Sequence, residues 1–196
     1  MEQMKLFEDA DLYRLPVDLM EYQPGFFSKE ESDAYFQILS CTTPWEQKEI
    51  KMYDKMIIRP RLSAWYGKGK EESETPPLEW TPELLEIKSR VEAKTGIHFT
   101  SVLLNYYRDG NDSVAWHSDK DTVPGLKTQI ASLSFGQVRS FDFRHKDNHK
   151  IKHSLDLGHG SLLLMKGDLQ RYWEHRIAKS TLPMKGRINL TFRIVV

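Results

Sequence analysis

The chain has 196 residues, with 28 basic and 28 acidic side chains and a formal net charge of zero. That length suits one domain with a sizeable core, and the balanced charge gives no global pull toward nucleic acid, so such a partner would be met by a local basic patch. The single cysteine, Cys41, excludes an internal disulfide framework and any multi-cysteine zinc site.

In chain order, the opening MEQMKLFEDADLYR places acids where a signal peptide needs an apolar run. No stretch approaches the roughly 18 apolar residues of a membrane helix. The expectation is a cytoplasmic protein without a membrane partner, taken as a monomer. Ser28-Lys29-Glu30-Glu31 has capping-box spacing and opens a helix with Tyr35, Phe36 and Leu39 on one side. Lys51 to Tyr66 reads as strand with a break at Pro60, and Gly67 to Pro77 as an exposed loop. Thr81-Pro82 is an N-cap followed by proline at the first helical position; Leu84, Leu85, Ile87 and Val91 give a helical stripe that stops at Gly96.

From Thr100 the pattern changes. SVLLNYY, TQIASLSF, RSFDFR, GSLLLM and RINLTFRIVV are short, rich in β-branched or aromatic residues, and separated by turn residues. Many short strands with few helices between them predict an antiparallel sandwich or jelly roll, with N-terminal helices covering one face.

Two His-x-Asp pairs occur, His117-Ser118-Asp119 and His145-Lys146-Asp147, and alternate residues of a strand share a face, so either could offer an imidazole and a carboxylate to one ion. Context separates them. The first pair follows a short extended segment, Ser113-Val114-Ala115-Trp116. The second lies in RHKDNHKIKH, polar enough to read as a hydrated hairpin tip. The third candidate ligand is His175, in Tyr172-Trp173-Glu174-His175-Arg176. Two histidines and a carboxylate with open positions form the facial triad of non-haem iron oxygenases, whereas structural histidines beside aromatic residues are the competing reading. In the last strand Ile188, Leu190, Phe192 and Ile194 share one face and Arg187, Asn189, Thr191 and Arg193 the other. That polar face is either a wet surface or the lining of a barrel interior, where guanidinium forks suit a dicarboxylate. Leu103, Asn105 and Tyr107 share a face that could serve the same cavity.

Taken together, LLNYYRDG (103–110), WHSDKD (116–121), IASLSFG (130–136), HGSLL (159–163), EHR (174–176) and RINLTFR (187–193) strongly resemble the AlkB family of alkylation-repair dioxygenases, in the expected order from about Arg59 to the C-terminus. The resemblance implies a mainly β fold with flanking helices: a double-stranded β-helix (jelly roll) over 100–196, and an N-terminal nucleotide-recognition region within 1–99, the whole forming one domain over 1–196. It implies iron(II) on His117, Asp119 and His175, and 2-oxoglutarate on Asn105, Tyr107, Arg187, Asn189 and Arg193, with molecular oxygen as the third reactant. The implied activity is oxidative demethylation of N-alkylated bases, of the 1-methyladenine and 3-methylcytosine type, in single- or double-stranded DNA, with RNA as a further substrate. Formaldehyde and succinate are the products. A methylated base is out of reach inside a duplex and must be flipped or presented on a single strand.

Within that pattern Asp121 is placed to act on a cationic base, against its reading as a solvated turn acid. Trp65 and Tyr66 are candidates for base stacking, against a core role. Arg139, with Arg144, Lys146, Lys150 and Lys152, forms the locally basic region that could meet phosphates, against a solvated hairpin. One departure stands out. Where many relatives carry an aromatic lid segment after the Trp-Tyr-Gly motif, this chain has Lys68-Gly69-Lys70-Glu71-Glu72-Ser73-Glu74-Thr75, with only the later Trp80 to substitute. Alternatives are therefore the same iron chemistry on a protein or small molecule, and a nonenzymatic jelly-roll binding module.

Overall fold

The computed structural model describes residues 17–52, 54–69, 76–119 and 129–195. The two expected helices form for the expected reasons. In α1 (Lys29–Thr42) the Ser28 hydroxyl accepts from the Glu31 N–H, and the Glu31 carboxylate takes the Ser28 N–H at 2.8 Å, so two orphan donors of the first turn are satisfied reciprocally. In α2 (Pro82–Thr95) Thr81 caps the Leu84 N–H, and Gly96, at φ 68°, ends the helix in the left-handed conformation that a side chain would resist. Leu84, Ile87 and Val91 are buried, whereas Leu85, expected in the same stripe, is 48% exposed. It sits beside Leu84 in sequence and so turns about 100° away around the helix.

Twelve strands are seen among the described residues. Ahead of the jelly-roll core lie β1 (Met20–Gln23), β2 (Glu49–Met52), β3 (Lys55–Ile58) and β4 (Leu62–Gly67). The run read as one strand broken at Pro60 is thus three, with β2 and β3 paired as a separate hairpin. Then follow β5 (Ser101–Tyr107), β6 (Val114–His117), β7 (Ile130–Gly136), β8 (Arg139–His145), β9 (Lys152–Leu157), β10 (Ser161–Met165), β11 (Trp173–Ile177) and β12 (Arg187–Arg193). A six-stranded antiparallel sheet runs β1-β10-β7-β12-β5-β4 and a four-stranded one β6-β11-β8-β9. β1 and β4, both from the first 99 residues, are hydrogen-bonded members of the larger sheet. A single helical turn, α3 (Leu169–Tyr172), leads directly into β11.

The larger sheet is buried on both faces. One carries Leu104, Leu133, Phe135, Ile188, Leu190 and Phe192 against Tyr35 and Leu39 of α1 and Leu84, Ile87 and Val91 of α2. The other meets the smaller sheet, where Tyr107, Ile130, Leu163 and Met165 pack with Phe141, Phe143, Trp173 and Ile177. At roughly 25 cal/mol per Å² of buried apolar area these two layers supply the main driving force for folding. Strict alternation in β12 therefore separates a helix-covered apolar face from a polar face turned between the sheets. Gly160 marks one tight closure: at φ 71°, a Cβ there would lie 2.3 Å from the Ser32 hydroxyl and 2.8 Å from the Phe27 carbonyl. Among the described residues no helix is long and apolar enough to cross a membrane.

Candidate metal centre

Pairing of β6 with β11 sets His117 directly opposite His175, and a register irregularity between His175 and Ile177 lets Val114 and His117 both face inward. The two imidazole centroids are 4.3 Å apart, and one donor atom from each of His117, Asp119 and His175 lies within 4.8 Å of the others. His175 is 4% exposed and packs on Phe141, with ring centroids 4.9 Å apart. Burial pushes its imidazolium pKa well below the ordinary range, so the ring is neutral and keeps a lone pair for a metal. His117 Nδ1 lies 2.8 Å from the Ala115 carbonyl, a partner that places the proton on Nδ1 and frees Nε2.

Asp119 is held differently from the alternation argument. β6 ends at His117, so no strand ladder fixes Asp119. Its carboxylate instead receives Arg193 Nη2 on Oδ1 at 2.5 Å and faces His175 Nε2 from Oδ2 at 3.6 Å. Burial opposes its ionisation, but the Arg193 guanidinium outweighs burial and holds this carboxyl below the usual carboxylate range, so it is anionic. Two imidazoles and one carboxylate fit a divalent ion of intermediate softness with positions left open.

The polar face of β12 does line a cavity, of about 60 Å³, which opens beside the triad and is shared by Asn105 and Tyr107. That is several times the roughly 10–15 Å³ that one water requires. Register explains the grouping, since Asn189 lies opposite Asn105 and Arg187 opposite Tyr107. Arg187 is 1% exposed, and Nη2 donates to Ser134 Oγ at 2.8 Å. Its Nε and Nη1 are buried without a partner, as is Arg193 Nε. Burial lowers the Arg187 pKa to about 10, which still leaves it charged at neutral pH. A buried, charged, half-paired guanidinium is expensive, and its empty donors fit a ligand carboxylate. Asn189 also lines the cavity, but its amide donors go to Ser132 Oγ and the Leu133 carbonyl, so it stiffens the wall and has no free donor for a ligand.

Residues that sequence reasoning passed over complete the site. Arg61 donates to Asn105 Oδ1 at 2.8 Å, which turns the Asn105 amide nitrogen away from Arg61. Nothing in Arg59-Pro60-Arg61 signalled that contact. Ser132 and Ser134 could have been found, because Ile130-Ala131-Ser132-Leu133-Ser134 alternates just as β12 does.

Several expected substrate contacts move. Arg139 is 3% exposed and its guanidinium donates to the carbonyls of Asp109, Asp112 and Ala178, so it is an internal clamp and is not available to phosphate. Tyr66 is 3% exposed within the helix-covered core, which rules out stacking on a base. Trp65 is half-buried, with Nε1 donating to the Lys68 carbonyl. Trp80 packs against Gly67 and the core. Arg144 is paired with Glu174 at 2.6 Å, and Lys146, though exposed, donates to the Gln170 carbonyl; Lys150 and Lys152 are the other exposed cations of that group. Asp121, the first 16 residues and residues 70–75 of the lid stretch lie outside the described residues. His145 and Asp147 sit at the β8–β9 hairpin tip, where the Asp147 N–H donates to His145 Nδ1.

Residues 19–193 match the model of the 2OG-Fe(II) oxygenase superfamily. Alpha-ketoglutarate-dependent dioxygenase alkB homolog 3 of Bos taurus is 41% identical over 186 residues, covering 88% of this chain and 64% of that protein. DNA oxidative demethylase ALKBH2 of Homo sapiens is 34% identical over 185 residues, covering 87% and 71%. The chain thus spans just under two thirds of the first of these relatives. The solved structure of OsALKBH1 superposes with a TM-score of 0.63 at 16% identity, covering 89% of this chain and 97% of that one, which supports the jelly-roll fold. With a His-Asp-His triad beside a cavity of unpaired guanidinium donors, this chain belongs to the AlkB-like branch of the 2OG-Fe(II) oxygenases, which use iron(II) as cofactor and 2-oxoglutarate and molecular oxygen as co-substrates.

Proposed function

We propose that this protein is an iron(II)- and 2-oxoglutarate-dependent oxidative demethylase of N-alkylated bases in DNA, with RNA as a further substrate. The observation that carries the co-substrate half is Arg187, a buried guanidinium with two empty donors in the cavity that the triad borders. His117, Asp119 and His175 would hold the metal. Arg187 above the Tyr107 ring, 5.3 Å from its centroid, would take the distal carboxylate, and Arg193 with Asn105 would serve the end nearer the metal. The substrate half is supported by the relatives, one of them named a DNA oxidative demethylase.

Bound iron with 2-oxoglutarate and molecular oxygen would supply hydroxylation of an N-methyl carbon: one oxygen atom goes into 2-oxoglutarate, which leaves as succinate and carbon dioxide, and the other into the methyl group, whose hydroxymethyl product breaks down to formaldehyde and the free base. The chain's own part is positional. Arg187 and Arg193 neutralise a dicarboxylate in a low-dielectric cavity, where the attraction is strongest. Phe141 and Ile177 wall the triad with apolar surface and limit water there. The first 99 residues supply β1 and β4 to the jelly roll, and we assign the β2–β3 hairpin and Trp65 to the nucleotide-recognition region. Asp121 keeps its proposed role beside a cationic base, and Lys150 and Lys152 their role toward phosphate.

The test offers 1-methyladenine and 3-methylcytosine in single- and double-stranded oligonucleotides and measures formaldehyde together with repaired base. Repair that depends on added 2-oxoglutarate is expected. Consumption of 2-oxoglutarate without repair would move the substrate to a protein or small molecule. Absence of a charge-transfer band with iron(II) and 2-oxoglutarate under anaerobic conditions would remove both enzyme readings.

A further inference from the structure

The fold leaves one ligand of the triad without secondary structure to hold it. His117 and His175 are paired residues of neighbouring strands, but Asp119 lies two residues beyond the end of β6. Its main-chain N–H is nevertheless satisfied, by the side-chain oxygen of Gln170 at 2.9 Å. Gln170 is 7% exposed and belongs to α3, the single turn that runs straight into the strand carrying His175. A buried amide is costlier than an apolar side chain of the same length unless its polar atoms are used. Among the described residues the nitrogen has only a weak acceptor, Met165 Sδ at 3.6 Å, while the oxygen has a main-chain donor, so the acceptor is the requirement.

The turn itself is anchored from two sides. Lys146 Nζ donates to the Gln170 carbonyl at 2.7 Å, and Ser118 Oγ donates to the Trp173 carbonyl at 2.9 Å, tying the Asp119 loop to the start of β11 a second time. We infer that Gln170 is a positioning residue for the metal centre: its oxygen holds the Asp119 backbone where the carboxylate meets His117 and His175, so that α3 registers the loop ligand against the strand ligands. This rests on the metal reading of the triad. Groups that orient metal ligands without touching the metal typically change affinity by 10–100-fold when removed.

The experiment titrates the full-length metal-free chain with manganese(II), followed by electron paramagnetic resonance, for the parent, Gln170→Met, Gln170→Glu, Met165→Leu and Asp119→Ala. Gln170→Met keeps length and removes the acceptor, and its dissociation constant is expected to rise about tenfold or more. Gln170→Glu restores an acceptor and should recover most of the loss; Met165→Leu, which removes only the sulfur contact, should bind as the parent does. A Gln170→Met chain that melts at lower temperature yet binds manganese within twofold of the parent would show a purely structural role and overturn the inference. If Gln170→Met does not fold, amide hydrogen exchange on the parent decides: Asp119 N–H should be as protected as ladder amides of β11, and an unprotected amide overturns it. Loss of binding in Asp119→Ala with none in Gln170→Met refutes the Gln170 inference alone. Unchanged binding in Asp119→Ala refutes the triad reading beneath it.

Discussion

Replacing Arg187 with methionine separates stability from co-substrate binding, because the two should move in opposite directions. The guanidinium is 1% exposed and donates through Nη2 to Ser134, with Nε and Nη1 buried and unpaired. In the ligand-free protein it is a buried charge with little compensation, the situation in which an apolar residue of similar volume is often neutral or stabilising by about 1–4 kcal/mol. Methionine fills the space of the stem, and the hydroxyl of Ser134 can rotate to another partner. With 2-oxoglutarate present, the two empty donors would each make a charge-assisted bond of roughly 1.5–3 kcal/mol. Taking the lower value for both gives about 3 kcal/mol, or more than 100-fold in affinity. Calorimetry of 2-oxoglutarate against the manganese-loaded chain, beside thermal melts with and without ligand, reads both quantities. Arg187→Met should melt no lower than the parent without ligand and gain almost nothing from ligand, since stabilisation by a ligand follows its dissociation constant. Affinity within threefold of the parent, or a large drop in ligand-free stability, would refute the assignment of the unpaired donors to a carboxylate.

Asp119→Ala should abolish manganese binding and coupled turnover, whereas Asp147→Ala, at the exposed hairpin tip, should leave both within twofold; equal losses would refute the choice between the two His-x-Asp pairs. Arg139→Met strips a donor from three carbonyls, so denaturant unfolding should show a loss of roughly 3 kcal/mol or more, while affinity for single-stranded DNA at fixed salt stays unchanged. The metal-free protein should also weaken in mild acid. Burial keeps His175 neutral when folded and lowers its pKa from 6.5, so below that value the unfolded chain binds a proton that the folded one refuses. Stability is therefore complete above about pH 6.5 and about 1.4 kcal/mol lower one pH unit beneath it, with a pH-independent urea midpoint across that range as the contrary result.

What could be read from the linear chain was whatever obeys a local period or a local cap. Ser28 and Glu31, Thr81 and Pro82, and Gly96 delimit helices through groups within a few residues of each other. Alternation in β5 and β12 assigned faces because a strand has a period of two, and the order of His117, Asp119 and His175 within the wider motif set them apart from His145 and Asp147. Burial across the fold was not legible in this way. An arginine in a basic stretch and a tyrosine beside a tryptophan have no local mark of depth, and only the packed sheets made Arg139 an internal clamp and Tyr66 a core residue. The same holds for long-range partners. Arg61 reaches Asn105 across 44 residues and Gln170 reaches Asp119 across 51, contacts that no period encodes and that exist only once the sheets close. The triad's residue types were determined by sequence; the convergence of two strands, one loop and one helical turn on a single point is a product of tertiary structure, because Asp119 lies beyond any ladder that local pattern could have foretold.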